Sequence, residues 1–280
     1  MAFDVGADIR YPKIDVHQHV APRNTQESAD NLVQQSRSVG ITELWCSAPI
    51  GGVIAPMEEI RRHNDAILAA MKMYPDIIRG MCFVIPSYFN EAIAEIERCL
   101  DAGMIGIKIY NQYKIWDPAV WPMLKFAAER RVPVLEHAGH ADPNTLRSQP
   151  LLSDGADIAR ASRLFPDAMI INAHIGGGGD LEWTLRAMRD ASPNAFIDIS
   201  GSNLDSGQVE MAIEELGVER VLFATDGTIE GCVGKVAGSH LSATEKELVN
   251  WKNAARILAA QGLKPLSPAL AAKVEGGVVA

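Results

Sequence analysis

Eight short apolar, β-branched runs recur along the chain, beginning near Ile14, Ile41, Ile77, Met104, Val132, Ala168, Ala195 and Arg220. From 14 to 220 is 206 residues in seven intervals, a mean near 29, about the length of one strand plus its crossover helix. That period predicts a βα unit used eight times. Several runs, such as 169–171 and 221–224, are nearly continuous apolar stretches, as expected of strands covered on both faces in a parallel sheet. A length of 280 residues would admit two domains, but α/β barrels of about 250 residues stand as one. The resulting reading is α/β: a single-domain (β/α)8 TIM barrel over residues 1–280, favoured over a doubly wound open sheet.

The intervening segments carry helix signals. Asp117-Pro118 offers an N-cap with proline at the first helical position, ahead of an apolar face at Val120, Met123, Leu124 and Ala127. Ile93, Ile96 and Leu100 mark a face in the preceding helix. Ser242 and Glu245 form a capping box before Leu248, Trp251, Ala255 and Leu258. Tyr74-Pro75 and Phe165-Pro166 stop two further helices. Beyond about residue 262 the mixture of proline, glycine and alanine predicts a loosely packed C-terminal tail. The run of four glycines at 176–179 reads either as a connection needing free backbone or as an anion-binding turn.

Charge and cysteine usage exclude several functions. With 26 Lys+Arg against 35 Asp+Glu the net charge is −9, and no basic cluster exceeds a pair, so nucleic-acid binding is not expected. No apolar run approaches the roughly 18 residues of a membrane helix, and the acidic N-terminus is unlike a signal peptide. A cytoplasmic protein without membrane partners is therefore expected. The four cysteines lack CxxC spacing and are read as reduced, buried thiols.

In a barrel of this kind the active site lies at the C-terminal strand ends. There the runs finish in unusual residues: Ile-Asp-Val-His-Gln-His, Val-Leu-Glu-His, Ile-Asn-Ala-His and Phe-Ala-Thr-Asp. Four of seven histidines (His17, His19, His137, His174) fall in this one position class, joined by Asp226. Residues i and i+2 of a strand share a face about 6.6 Å apart, so His17 and His19 can converge on one cation. Imidazole nitrogen and carboxylate oxygen are the ligands of a zinc-type ion. Run four ends in Lys108 and Tyr110, with Asn111, Gln112 and Tyr113 following at the mouth. Lys108 has three readings: an uncarbamylated lysine pairing with substrate, a carbamate bridging two metals, or a structural ion pair. His140, three residues past His137, either meets substrate or is an exposed loop histidine. Asp15 and Glu136 are expected to face away from the histidines, and His63 and His240 to lie at the surface.

These motifs, together with Asn64-Asp65, Tyr74-Pro75-Asp76, Gly106-Ile107-Lys108 and the helix 251–256, resemble the amidohydrolase superfamily, in its amidohydrolase-2 branch of metal-dependent hydrolases and nonoxidative decarboxylases. The resemblance implies one divalent ion, zinc or manganese, held by His17, His19, His137 and Asp226. His174 would stand by the metal-bound water or substrate, Asp226 would also transfer protons, and Lys108, Tyr110 and His140 would contact substrate. It implies a small-molecule substrate and a homo-oligomer, a dimer. Because no arginine stands at a strand end to clamp a carboxylate, hydrolysis of an amide or lactone is the first expectation and decarboxylation of a small aromatic carboxylate the alternative.

Overall fold

The computed structural model describes residues 5–175 and 179–277. Eight parallel strands follow one another in chain order: β1 (Lys13–His19), β2 (Ile41–Ser47), β3 (Ile78–Phe83), β4 (Gly106–Ile109), β5 (Val134–Glu136), β6 (Ile170–Asn172), β7 (Ala195–Asp198) and β8 (Val221–Leu222). Each sequential pair is in parallel register. Backbone bonds from Val16 N to Phe223 O (3.1 Å) and from Asp226 N to His17 O (2.9 Å) join the last strand to the first. The molecule is a single-domain (β/α)8 barrel, as the 29-residue period predicts.

The core has two layers, because each strand offers one face to the helices and one to the barrel axis. Ile41, Ile107, Val134, Ile170 and Ile197 pack outward with Ile67, Ile96, Leu124 and Ile158 of the helices. Ile14, Met81, Leu135, Ile171, Phe196 and Leu222 fill the inside, floored by Trp251, Ala255, Leu258 and Leu270. This packed floor leaves the open end of the barrel, at the C-terminal strand ends, as the place for chemistry.

Several helix boundaries follow the sequence signals and some do not. Met57–Met73 and Gly155–Leu164 end ahead of Tyr74-Pro75 and Phe165-Pro166, and the Ser242/Glu245 capping box is formed. The helix expected at Asp117 begins instead at Trp121; the Asp117 carboxylate accepts from Ala119 N and caps a preceding turn. In Asn90–Asp101 the buried stripe runs through Ala92, Glu95, Ile96 and Cys99. Ile93 and Leu100 of the expected face pack partly buried against the same core, and Glu95 beside Ile96 accepts from Asn64 Nδ2 (2.9 Å). A π turn at Leu248–Lys252 interrupts the last long helix. All four cysteines are free and buried. His63, expected at the surface, is partly buried and bonds the Ala48 carbonyl through Nδ1 (2.8 Å).

The tail after 262 forms a helix, Pro268–Glu275, capped by Ser267. Most of it is exposed, but Leu270 is fully buried against the barrel floor. Leu270→Ala is expected to cost about 2–5 kcal/mol of stability, the range for emptying a buried leucine site, measured by urea unfolding. A loss under about 0.5 kcal/mol, typical of a surface change, would show that the tail does not anchor the floor. Of the glycine run, residues 176–178 lie outside the described residues. At Gly179 a Cβ would collide with the His140 carbonyl, so the close approach of the two backbones excludes a side chain there.

Candidate metal and catalytic site

The C-terminal strand ends bring His17, His19, His137, His174, Lys108 and Asp226 together. On β1 a register shift against β2 between Asp15 and Gln18 lets His17 face inward while Asp15 turns aside to Gln18 and Thr225. Glu136 points outward and accepts from Ser153 (2.6 Å), so both acids stand apart from the cluster, as expected.

Three potential ligand atoms, from His17, His19 and Asp226, lie within 4.8 Å of one another. Their neighbours determine which ring nitrogens are free. His17 Nδ1 donates to Asp198 Oδ2 (3.1 Å) and His19 Nδ1 to the Ser47 carbonyl (3.1 Å). With Nδ1 engaged behind them, both rings turn Nε2 inward, toward Asp226 Oδ1, at 3.7 Å from His17 and 3.1 Å from His19. Three acceptors facing one another repel unless a proton or cation lies among them. Burial and the adjacent Lys108 ammonium hold His17 far below the usual imidazole range, which disfavours the proton. The donor set fits a divalent ion, each imidazole being oriented by an acceptor behind it.

Burial opposes ionisation of Asp226, but the His19 hydrogen bond and the neighbouring His17 and His174 outweigh it and hold the carboxyl well below the usual carboxylate range. Lys108 is fully buried and its Nζ lies 3.3 Å from His17 Nε2. Burial pushes its ammonium down to about 8 against the pull of Asp226, Glu136 and Asp198. Among the described residues no carboxylate makes an ion-pair contact with Nζ, which removes the structural ion-pair reading.

His137 stands behind His174: its Nδ1 lies 3.1 Å from His174 Nε2 and its ring is stacked on Tyr110 at 4.1 Å. It is not one of the three convergent atoms. His174 Nδ1 lies 3.1 Å from Ser200 Oγ and 3.5 Å from Asp226 Oδ2. Both His174 (φ 67°) and Asp226 (φ 44°) adopt the left-handed region, a strain that accumulates at functional sites. His140 does not join the cluster; its ring stacks on Trp183 at 3.9 Å. Sequence reasoning missed Asp198, which orients His17 and accepts from His174 N and Ser200 N (both 2.9 Å). Run seven ends Phe-Ile-Asp-Ile-Ser, so the end-of-strand criterion would have found it. A cleft of about 250 Å³ opens over the site, lined by His137, Gln149, His174, Ser202, Asp226 and Thr228, a size suited to one small molecule.

A family model described as amidohydrolase matches residues 14–260. The chain belongs to the amidohydrolase-2 family. No curated protein matches it in sequence. Among solved structures, it is similar to 2,6-dihydroxybenzoate decarboxylase from Rhizobium (TM-score 0.72, 20% identity, 88% of this chain and 98% of that one). It is also similar to a dihydroxybenzoic acid decarboxylase from Polaromonas with bound manganese (0.70, 19%, 88% and 96%). A third, 4-oxalomesaconate hydratase from Rhodopseudomonas palustris, aligns at 0.69 and 15% identity over 95% of this chain and 99% of that one. At these identities the likeness is one of fold. No helix among the described residues is long and apolar enough to cross a membrane.

Proposed function

We propose that this amidohydrolase is a metal-dependent nonoxidative decarboxylase of a small hydroxylated aromatic carboxylate. The observation that carries the reading is the buried Lys108 ammonium set 3.3 Å from His17 Nε2, beside the three-atom cation site. Two positive centres side by side bracket an anionic group, and a buried ammonium without a protein counter-ion is costly until one arrives. Hydrolysis of a neutral amide or lactone, the first expectation from sequence, brings no ground-state anion to pair with that charge. The fold shared with two dihydroxybenzoate decarboxylases, one of them holding manganese, supports the same choice.

When bound, a divalent ion held by His17, His19 and Asp226 would supply a Lewis acid for the substrate carboxylate and a neighbouring oxygen. Lys108 pairs with the carboxylate, and the Tyr110–His137 stack forms an aromatic wall for the ring. Asp226, strained and held strongly acidic, is a powerful proton donor whenever protonated, and delivers that proton to the carbon that loses CO2. The proton leaves on the product, and one drawn from solvent past His174 Nδ1, 3.5 Å away, replaces it on Asp226.

The test is to incubate the Mn²⁺- and Zn²⁺-loaded protein with hydroxybenzoates such as 2,6-dihydroxybenzoate, and with aryl lactones and amides, following CO2 release and carboxylate loss by NMR. Elemental analysis should find about one divalent ion per chain, the number one three-acceptor cluster accommodates. Lactone or amide hydrolysis with no CO2 from any hydroxybenzoate would overturn the proposal.

A further inference from the structure

With the substrate carboxylate assigned to Lys108 and the cation site, the rest of the ring is received by the cleft, whose walls have a definite chemistry. One wall is the loop after β5, with Thr145, Gln149 and Leu152; the other follows β7 and β8, with Ser202 and Thr228, and Asp226 also lines the space. Among the described residues no Lys or Arg lines it, and residues 176–178, outside the described set, are glycines. The basic side chains next to the walls are already engaged. Arg147 falls between Thr145 and Gln149 in the turn Pro143–Ser148 and leaves it on another side, its guanidinium on Asn144 Oδ1. Lys114 reaches the Leu152 carbonyl (3.0 Å) and is paired with Asp157. Lys235 gives its ammonium to the Ile199 and Gly201 carbonyls (2.9 and 3.3 Å).

Thr145 adds a direction to this neutrality. Its hydroxyl donates to Asp142 Oδ2 (2.7 Å), while Asp142 Oδ1 accepts the Asn144 and Thr145 N–H groups (2.7 and 3.4 Å). A carboxylate only accepts, so the single hydroxyl hydrogen of Thr145 is committed and its oxygen has only lone pairs left for a ligand. The Ser202 and Thr228 hydroxyls on the other wall can donate or accept. A phenolic hydroxyl, donor and acceptor in one group, satisfies both walls. A second carboxylate brings acceptors alone and meets a lone pair at Thr145. It also adds a negative charge near Asp226 and Asp142, in a chain whose net charge is −9.

We propose, on the reading of the site as one for an aromatic carboxylate, that the cleft selects a monocarboxylate whose other ring substituents are hydroxyls and rejects a second carboxylate. Thr145, held by Asp142, is the residue that sets this specificity.

The test is calorimetric titration of the Mn²⁺-loaded full chain with two matched pairs, in each of which one hydroxyl is exchanged for a carboxylate. These are 2,3-dihydroxybenzoate against 2-hydroxyisophthalate, and 2,5-dihydroxybenzoate against 4-hydroxyisophthalate. The wild type is expected to bind the monocarboxylate of each pair at least about tenfold more tightly, the low end for a hydrogen bond to a charged group. Asp142→Asn keeps a capping oxygen but replaces Oδ2 by an amide N–H that donates to Thr145 Oγ1, which frees the hydroxyl hydrogen and removes a negative charge. That variant is expected to shrink the ratio at least about fivefold, the worth of one ordinary hydrogen bond. Loss of the cap alone would weaken both members of a pair alike and leave the ratio unmoved. Equal affinities within a pair in the wild type, a dicarboxylate bound more tightly, or an unmoved ratio in Asp142→Asn would overturn the proposal. Failure of all four compounds to bind would overturn it together with the decarboxylase. If the ratios stand and no hydroxybenzoate loses CO2, the decarboxylase reading fails and the selectivity holds.

Discussion

Asp226→Asn is expected to lower turnover at least about a hundredfold, the low end of what a positioned proton-transfer group contributes, while the barrel remains folded. The substitution is unusually clean. Asp226 sits at φ 44°, and Asn is among the few side chains at ease in the left-handed region, so the backbone after β8 has no reason to move. The amide oxygen can still face His17 and His19, but the side chain can neither accept nor return a proton. Metal content and turnover are to be measured on the same preparation. Retained metal with lost turnover assigns Asp226 to proton transfer. Lost metal would make it chiefly a ligand, and near-normal turnover with metal retained would remove it from catalysis.

The second large effect concerns Lys108. If the ammonium pairs with a substrate carboxylate, Lys108→Met should weaken binding of a hydroxybenzoate roughly 10- to 150-fold, the equivalent of one charge-assisted hydrogen bond of about 1.5–3 kcal/mol. Methionine preserves the length and packing of the stem, so the fold should hold. The pH dependence has a definite sign. Burial places the ammonium at about 8, so the charge is present below that pH and lost above it. Hydroxybenzoate affinity of the wild type should therefore hold steady through neutral pH and fall as pH rises past about 8, whereas the Met variant should lack that step. Calorimetric titration across this range checks both. Carboxylate affinity that survives the substitution counts against the decarboxylase. Turnover on a neutral lactone that falls while carboxylate affinity is unchanged would favour the hydrolase.

The barrel and the roster of its site were legible in the chain for a common reason. Strand-end position is set by local periodicity, and local periodicity is what a sequence displays. The eight runs placed His17, His19, Lys108, His137, His174 and Asp226 at strand ends, and the structure brings those six side chains together. Asp198 obeys the same rule and shows that the rule reached further than its first application. Where local signals compete with packing they fail: the Asp117 cap closes a turn rather than a helix, and the tail after 262 anchors itself through Leu270.

What only the tertiary structure decided is how those six side chains divide the work. His17, His19 and Asp226 converge while His137 stands behind His174, because a bulge in β1 and the left-handed backbone at 174 and 226 aim the side chains, and neither leaves a periodic trace. His140 and His137 are three residues apart, yet one stacks on Trp183 and the other on Tyr110, since a loop's path depends on distant contacts. His17 is turned by Asp198 and His19 by the Ser47 carbonyl, partners 181 and 28 residues away in the chain. Periodicity along a chain fixes which residues reach the open end of the barrel. The direction of a lone pair is set by partners far away in sequence, and these meet only once the barrel has closed.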